Sequence, residues 1–466
     1  MAPGKLTAHI FRTALSRFDS GKSFLIAYSG GLDSHVLLHL CAACRTIYPE
    51  FEFSAAHVNH GLHADADHWG KHCSEICQSL GVSLSSLIVD AYPQKGRSPE
   101  EVARTARYSA LSPLVTDNTV LLTAQHLDDQ AETILLQMLR GSGLSGLSGM
   151  AESASFGQGV LFRPLLAYPR VELLDYATSN HLHWIEDPSN VDESYARNYL
   201  RQRVMPLLRQ RWPSASKTIA RSGRHCAEAR SIQDLFIDQR LDSKNLPISN
   251  CLRISALQRL AKPVQIAMLR RWIGRNGRRN PSHKIMNRII DEMLPAAADR
   301  NPYVTWGATD LRRYQGAFYL MPKLKVFDST QVLHWDGIER LGLPCGNGWL
   351  SADNGAENGI SGSAWRDGQI QIQFYRGGEL CSLPGRSGRQ RLKKLFQQHT
   401  VPPWVRSRIP LIYIDGKLAA VGDLWVCRPF EESGAGAVRL SWQGHELAWK
   451  IIGSTANRVT NRFSNE

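Results

Sequence analysis

The hexapeptide Ser29-Gly30-Gly31-Leu32-Asp33-Ser34 limits what this chain can fold into more than any other stretch. It follows an apolar run at residues 24–28 with the composition of a buried strand, and it opens a helical pattern over residues 36–44. Two adjacent glycines let the backbone turn tightly and bring its N–H groups against an anion. Ser29 and Ser34 add hydroxyl donors where a helix dipole favours negative charge. Asp33 cannot bind phosphate itself; in such a cradle a carboxylate holds Mg²⁺ or a cationic group beside the phosphates. Further apolar or β-branched runs at 53–59, 82–89 and 120–124 each end at polar or Gly-containing residues. The expected fold is α/β, a doubly wound parallel sheet with ligands along the carboxyl ends of its strands.

At 466 residues the chain exceeds what one hydrophobic core usually supports, so further domains are expected. After residue 190 the pattern changes to long arginine-rich helices at 221–240 and 269–294, the latter broken at Asn280-Pro281, and from about 331 to Gly, Trp and short alternating strands. No apolar run approaches the roughly 20 residues of a membrane span, and Arg12, Arg17 and Asp19 interrupt what a secretory signal would need to be apolar. A cytoplasmic protein without a membrane partner is expected. Nine cysteines, an odd number spread through the chain, fit reduced thiols. The net charge of +13 points to a polyanionic partner such as nucleic acid.

The hexapeptide lacks the Gly-Lys-Ser/Thr of a Walker loop and is similar to the pyrophosphatase-type loop (PP-loop) of the N-type ATP pyrophosphatases, which implies cleavage of ATP to AMP and pyrophosphate. Downstream come His57-Val58-Asn59-His60-Gly61-Leu62, Glu100 with Ala103-Arg104 and Arg107-Tyr108, and the run from Thr123 through Gln125, His126, Asp128, Asp129 and Glu132 to Thr133. Arg140-Gly141-Ser142-Gly143, Glu186-Asp187-Pro188-Ser189-Asn190, Arg197-Asn198 and Arg201 follow, then Lys393-Lys394-Leu395-Phe396 and Val401-Pro402-Pro403-Trp404. In this order they resemble the tRNA(Ile)-lysidine synthetases, with Gln125 where that family often has a histidine.

The resemblance implies a ligase that uses ATP to adenylate the C2 oxygen of the wobble cytidine in the CAU anticodon of tRNA(Ile). Free L-lysine then displaces AMP, and the codon identity passes from methionine to isoleucine. It implies a PP-loop catalytic domain at 1–212, a helical tRNA-binding domain at 213–325, an α+β C-terminal tRNA-binding domain at 326–453 and a polar tail at 454–466. Nucleotide binding falls to Ser29, Gly30, Gly31, Leu32, Asp33, Ser34 and His57, with Mg²⁺ at Asp33. Catalysis falls to Asp33, Arg107, Asp129 and Glu132. Asp129 and Glu132 are spaced i, i+3, so if Asp128 opens their helix they share a face and can grip one lysine ammonium; a plain acidic helix start is the competing reading. tRNA contacts fall to Arg104, Arg197, Arg201, Arg389, Arg391, Lys393 and Lys394. Arg104 and Arg107, one turn apart, can equally pair with Glu100 or Glu101, and His57 and His60 can equally be ordinary strand-end histidines. Trp404 and Phe396 lie beside the basic cluster, with Leu395 and Phe396 better suited to a core. Arg270, Arg271, Arg275, Arg278 and Arg279 invite a second RNA-facing reading, and a homodimer is one state open to such a chain.

Two rivals remain. A PP-loop tRNA thiolase would use paired cysteines, and Cys41 and Cys44 are spaced for it, although they also fall at core spacing with Leu37, Leu38 and Leu40. A tRNA-binding protein with a decayed ATP site would carry a damaged loop, and this loop is intact.

Overall fold

The computed structural model describes residues 6–18, 22–59, 61, 65–89, 99–242, 250–297, 300–383, 388–445 and 447. His60, Leu62, the side chain of Glu100 and the tail at 454–466 lie outside the described residues. The chain divides into two compact units, Met1–Gln233 and Asp234–Glu466.

The first unit is built on six strands: β1 (Ser23–Ala27), β2 (Glu52–Asn59), β3 (Ser83–Ile88), β4 (Thr119–Leu122), β5 (Ser153–Phe156) and β6 (Gly159–Phe162). Their order is β3-β2-β1-β4-β6-β5, and every pairing is parallel except β5 with β6. Helices α1 (Ala8–Leu15), α2 (Leu32–Ile47), α3 (Ala66–Ser79), α4 (Pro99–Leu111) and α5 (Leu127–Leu139) surround the sheet. β1 reads as a continuous apolar run because both its faces are buried. Phe24 and Ile26 pack with Val36, Leu37, Leu40 and Phe162 on one side, and Leu25 packs with Leu121, Leu161 and Leu111 on the other. The β5–β6 hairpin was not expected from the sequence; its strands are only four residues each, and a left-handed Gly157 makes the turn.

From β1 the chain proceeds to β2 and β3 on one side and to β4 and β6 on the other, so the strand order reverses between β1 and β4. In an open α/β sheet the crevice beyond the strand ends at such a reversal is where ligands bind. The loop at 29–34 leaves β1 and the segment at 123–126 leaves β4, which brings the two most chemically loaded stretches to opposite lips of that crevice.

In the second unit, helices Lys262–Arg275 and His283–Arg288 are accompanied by a four-stranded antiparallel sheet in the order Cys251–Arg253, Ala317–Pro322, Thr309–Tyr314, Tyr303–Trp306. The sheet adds to the helices expected here, and Leu252, Leu311 and Phe318 pack against Met268, Trp272 and Ile289. Arg271 and Arg275 do not form the RNA-facing row read from the sequence. Arg271 binds Asp234 and Asp238, and Arg275 binds Asp238 and Asp242, clasping two helices together. Farther on, a five-stranded antiparallel sheet and the long pair Trp349–Ile360 and Glu431–Gln443 enclose a core containing Phe374, Phe396, Ile412 and Trp442.

All nine cysteines are free thiols. Cys41 and Cys44 of α2 and Cys73 and Cys77 of α3 are buried, and burial pushes their thiols upward, as expected of small core residues.

His35 lies one residue past the loop, on α2, and is 3% exposed. Its ring meets Tyr28 edge-on at 6.0 Å and bonds to the backbone of His183. Burial, reinforced by the neighbouring His72 and His39, lowers its pKa to about 4. The folded state therefore holds a neutral imidazole that the unfolded chain protonates below about pH 6.5. The resulting stability is complete above pH 6.5 and is lost as the pH falls toward 4, by on the order of 3 kcal/mol. Thermal melts from pH 7 to pH 4 should show a smaller acid-induced loss for His35→Asn than for the wild type, and parallel profiles would remove His35 from the acid response.

Candidate active site

The loop after β1 is held from beneath. Gly30 has φ +81°, and a side-chain carbon there would lie 2.8 Å from Ile185 Cδ1 and 3.0 Å from Cys73 Sγ. The Gly30 carbonyl accepts from the Ile185 N–H at 3.0 Å. Only glycine fits both the left-handed backbone and the space. Ser34 Oγ lies 3.0 Å from Ser29 Oγ, accepts from the Ser29 N–H at 3.2 Å and donates to the Gly31 carbonyl at 3.0 Å, closing the turn on itself. α2 begins at Leu32, so the remaining amides of its first turn face the crevice, with Asp33 among them.

Across the crevice α5 starts one residue before the expected Asp128. His126 is its N-cap: Nδ1 accepts from the Asp129 N–H at 3.4 Å, while Asp129 Oδ2 accepts from the His126 N–H at 3.2 Å. This is a capping box built from imidazole and carboxylate. The cap leaves the ring proton on Nε2, which is fully buried, 3.6 Å from Asp33 Oδ2 and 3.5 Å from Asp129 Oδ2. Burial opposes a charged ring, yet the carboxylates of Asp129, Asp33 and Asp128 outweigh it and raise the His126 pKa. Asp128, 3.9 Å from His126 Nδ1, is held by three donors. It accepts from the Arg170 N–H at 2.8 Å, from Ser216 Oγ at 2.6 Å and from Arg209, which anchors the start of α5.

Asp129 and Glu132 share one face of α5, as their spacing requires, and Arg201 joins them. Arg201 Nε donates to Glu132 Oε1 at 2.8 Å, and its Nη2 donates to Glu132 Oε2 at 2.9 Å and Asp129 Oδ1 at 2.7 Å. Glu132 is 1% exposed. Burial disfavours the guanidinium charge, but the two carboxylates dominate and hold Arg201 firmly protonated. The sequence had suggested Arg201 as an RNA contact; its guanidinium points instead into the site. Arg197, one turn earlier, donates to Thr133 Oγ1 at 3.1 Å. Both arginines come from the helical segment formed by Ala196–Tyr199, a π turn Leu200–Val204, and Met205–Arg211.

His57, at the end of β2, donates from Nδ1 to the Tyr28 carbonyl at 3.1 Å. Burial lowers its pKa, so it sits neutral beside the root of the loop. Arg104 and Arg107 lie on α4 on that side; Arg104 stacks over Tyr108 at 5.1 Å and lines an open cavity of about 540 Å³ with Glu101, Thr105 and Phe156. Two participants had no signal in the sequence beyond being arginines. Arg163 is buried at the end of β6, and Arg170 places Nε 3.9 Å from Asp33 Oδ1.

In the second unit the basic cluster divides between a strand and a helix. Arg391 belongs to the strand Gln390–Arg391, and Lys393 and Lys394 to the helix Leu392–Gln398. These three and Arg389 face solvent, while Leu395 and Phe396 face the core. Trp404 is not part of this surface. It is 9% exposed and packs edge-on against Tyr314 and Tyr319, because the core needs its ring more than the rim does.

A PP-loop domain model matches residues 6–208, a TilS substrate binding domain model matches 252–319, and a TilS substrate C-terminal domain model matches 370–442. The tRNA(Ile)-lysidine synthase of Methylococcus capsulatus is 41% identical over 428 residues, which cover 91% of this chain and 96% of that protein. The Coxiella burnetii protein of the same name is 40% identical over 420 residues, 90% of this chain and 93% of its own. That of Legionella pneumophila strain Lens is 39% identical over 409 residues, 87% and 92% respectively. With identity sustained from the loop at the crevice to the C-terminal core, the chain belongs to the tRNA(Ile)-lysidine synthase family.

Proposed function

We propose that this chain, a carbon–nitrogen ligase by its family, uses ATP to adenylate the C2 oxygen of the wobble cytidine in a CAU-anticodon tRNA(Ile) and joins free L-lysine to C2 as AMP leaves. The observation that carries this reading is the convergence of Asp33 from one lip of the crevice with Asp129 from the other on the buried ring of His126, and of Asp129 with Glu132 on Arg201. In the first step the cytosine C2 oxygen attacks the α-phosphorus and the bond to pyrophosphate breaks. The amides and hydroxyls of residues 29–34 take the phosphates, and His57 and Arg107 border the nucleotide on the β2 side. Asp33 Oδ1 is buried and, among the described residues, accepts no hydrogen bond, an oxygen suited to a cation. Asp33 would hold Mg²⁺ there, and the ion would supply charge neutralisation at the phosphates when bound.

In the second step the lysine ε-nitrogen bonds to C2, the C2–O bond breaks and AMP leaves. Lysine enters as an ammonium and reacts as an amine, so its site needs carboxylates that attract the cation and then accept a proton. Asp129 and Glu132 meet this need, and the Arg201 guanidinium already lying between them supports their fitness for a cation. Lysine shares Asp129 with Arg201 or takes its place. On the RNA side, Arg104, Arg197 and the cluster Arg389, Arg391, Lys393 and Lys394 contact the phosphate backbone.

Two measurements test this reading. Glu132→Gln keeps the side-chain shape but removes the charge that lysine meets. The lysine KM should rise about tenfold or more while pyrophosphate release persists, leaving adenylated RNA to accumulate or hydrolyse. A modestly lower Tm with unchanged lysine KM and kcat would make Glu132 a partner of Arg201 and nothing more. Replacing Arg389, Arg391, Lys393 and Lys394 by alanine should weaken tRNA binding and flatten the plot of log Kd against log salt, by about 0.7 to 0.9 for each phosphate no longer neutralised. An unchanged slope would take this surface out of the RNA interface.

A further inference from the structure

Gln125 sits in the turn between β4 and α5, half-buried, directly before His126. Its side-chain oxygen is doubly committed: Oε1 accepts from Thr123 Oγ1 at 2.6 Å and from Arg163 Nε at 3.2 Å. Two donors on the carbonyl oxygen fix which way the amide faces. The Nε2 group is turned from both, and no described residue accepts from it. Arg163 is a rigid anchor for this arrangement. It is 8% exposed, its Nη1 donates to the Ala151 carbonyl at 2.6 Å just before β5, and its guanidinium also bonds the Tyr108 side chain, so it is held from several sides. An N–H₂ donor with a set orientation thus stands at the crevice, next to the histidine that Asp33 and Asp129 face.

The strand order says which substrate meets it. β1 and its phosphate loop lie between β2, which carries His57, and β4, which leads to Gln125. With the triphosphate on the loop and the ATP nucleoside on the β2 side, the β4 side is left for the acceptor base. Cytosine presents to a donor the lone pairs of O2 and N3; uracil carries an N–H at position 3 instead. O2 is the reacting atom, so N3 is the atom by which a fixed donor tells the two pyrimidines apart.

We propose that Gln125 is a specificity-determining residue whose amide N–H₂ donates to N3 of the target cytosine and thereby selects cytidine over uridine. The assignment rests on the reaction proposed above and names the group that reads its acceptor. Thr123 and Arg163 act through Gln125 as positioning residues.

The test is a cycle in which one atom is changed on each side. Kd is measured for the wild-type chain, Gln125→Met and Gln125→His, each with a non-hydrolysable ATP analogue. The probes are tRNA(Ile) transcripts carrying cytidine or 3-deazacytidine at the wobble position. The wild type should bind the cytidine transcript about tenfold more tightly than the deaza transcript. Gln125→Met, which keeps the length but has no donor, should bind both alike, and Gln125→His, which restores an N–H, should recover part of the preference. A preference absent from the wild type, or one that persists in Gln125→Met, overturns the assignment. Lysine incorporation by the wild type into the cytidine transcript is scored separately, so failure of the reaction and failure of the cycle are distinguished.

Discussion

Asp129 makes three contacts at once. Its Oδ2 caps the first turn of α5 through the His126 N–H and lies 3.5 Å from the His126 ring, while its Oδ1 accepts from Arg201. The two lips of the crevice could not otherwise hold Asp33, Asp129 and Glu132 so close, since clustered carboxylates repel and shed their charge by taking up protons. The Arg201 guanidinium supplies the opposing charge, the His126 Nε2–H faces Asp33 and Asp129, and Asp128 adds rigidity by tying the same turn to Arg170, Arg209 and Ser216. The site is therefore set before substrate arrives, which is how fixed charges lower a barrier without reorganising during the reaction. His126 also faces a choice: a second ring proton costs it the Asp129 N–H that Nδ1 accepts, so helix cap and imidazolium compete.

The parts legible in the sequence are those governed by short-range pattern. The loop at 29–34 carries its strand–turn–helix context with it, and buried parallel strands announce themselves as uninterrupted apolar runs. That reading put the loop at 29–34 after β1 and the acidic run after β4, which is where the structure has them. The β5–β6 hairpin and the sheet among the helices of the second unit escaped because their strands run from three to six residues, too short for a period to emerge.

Long-range pairing was harder still. Arg201 meets Glu132 across 69 positions, and an arginine has no direction in sequence. Arg271 and Arg275 had the density of an RNA-facing row until Asp234, Asp238 and Asp242 proved to face them. Trp404 stood beside lysines in sequence, but Tyr314 and Tyr319, distant along the chain, bury it. Lys393 and Lys394 remained outward because Leu395 and Phe396 claim the inner face of so short a helix. Cation-rich stretches thus sort by whether carboxylates elsewhere in the fold reach them.

The central claim is that the C2 oxygen of cytidine is activated on the α-phosphate and leaves with AMP. It is tested most directly by placing ¹⁸O at that position in the tRNA and following the label by mass spectrometry through one turnover with ATP and lysine. Labelled AMP and unlabelled pyrophosphate are expected, with an RNA product that has lost the heavy oxygen and gained the lysine nitrogen in its place. Heavy oxygen retained in the RNA, or AMP that forms without it, would rule out activation of that oxygen on the α-phosphate.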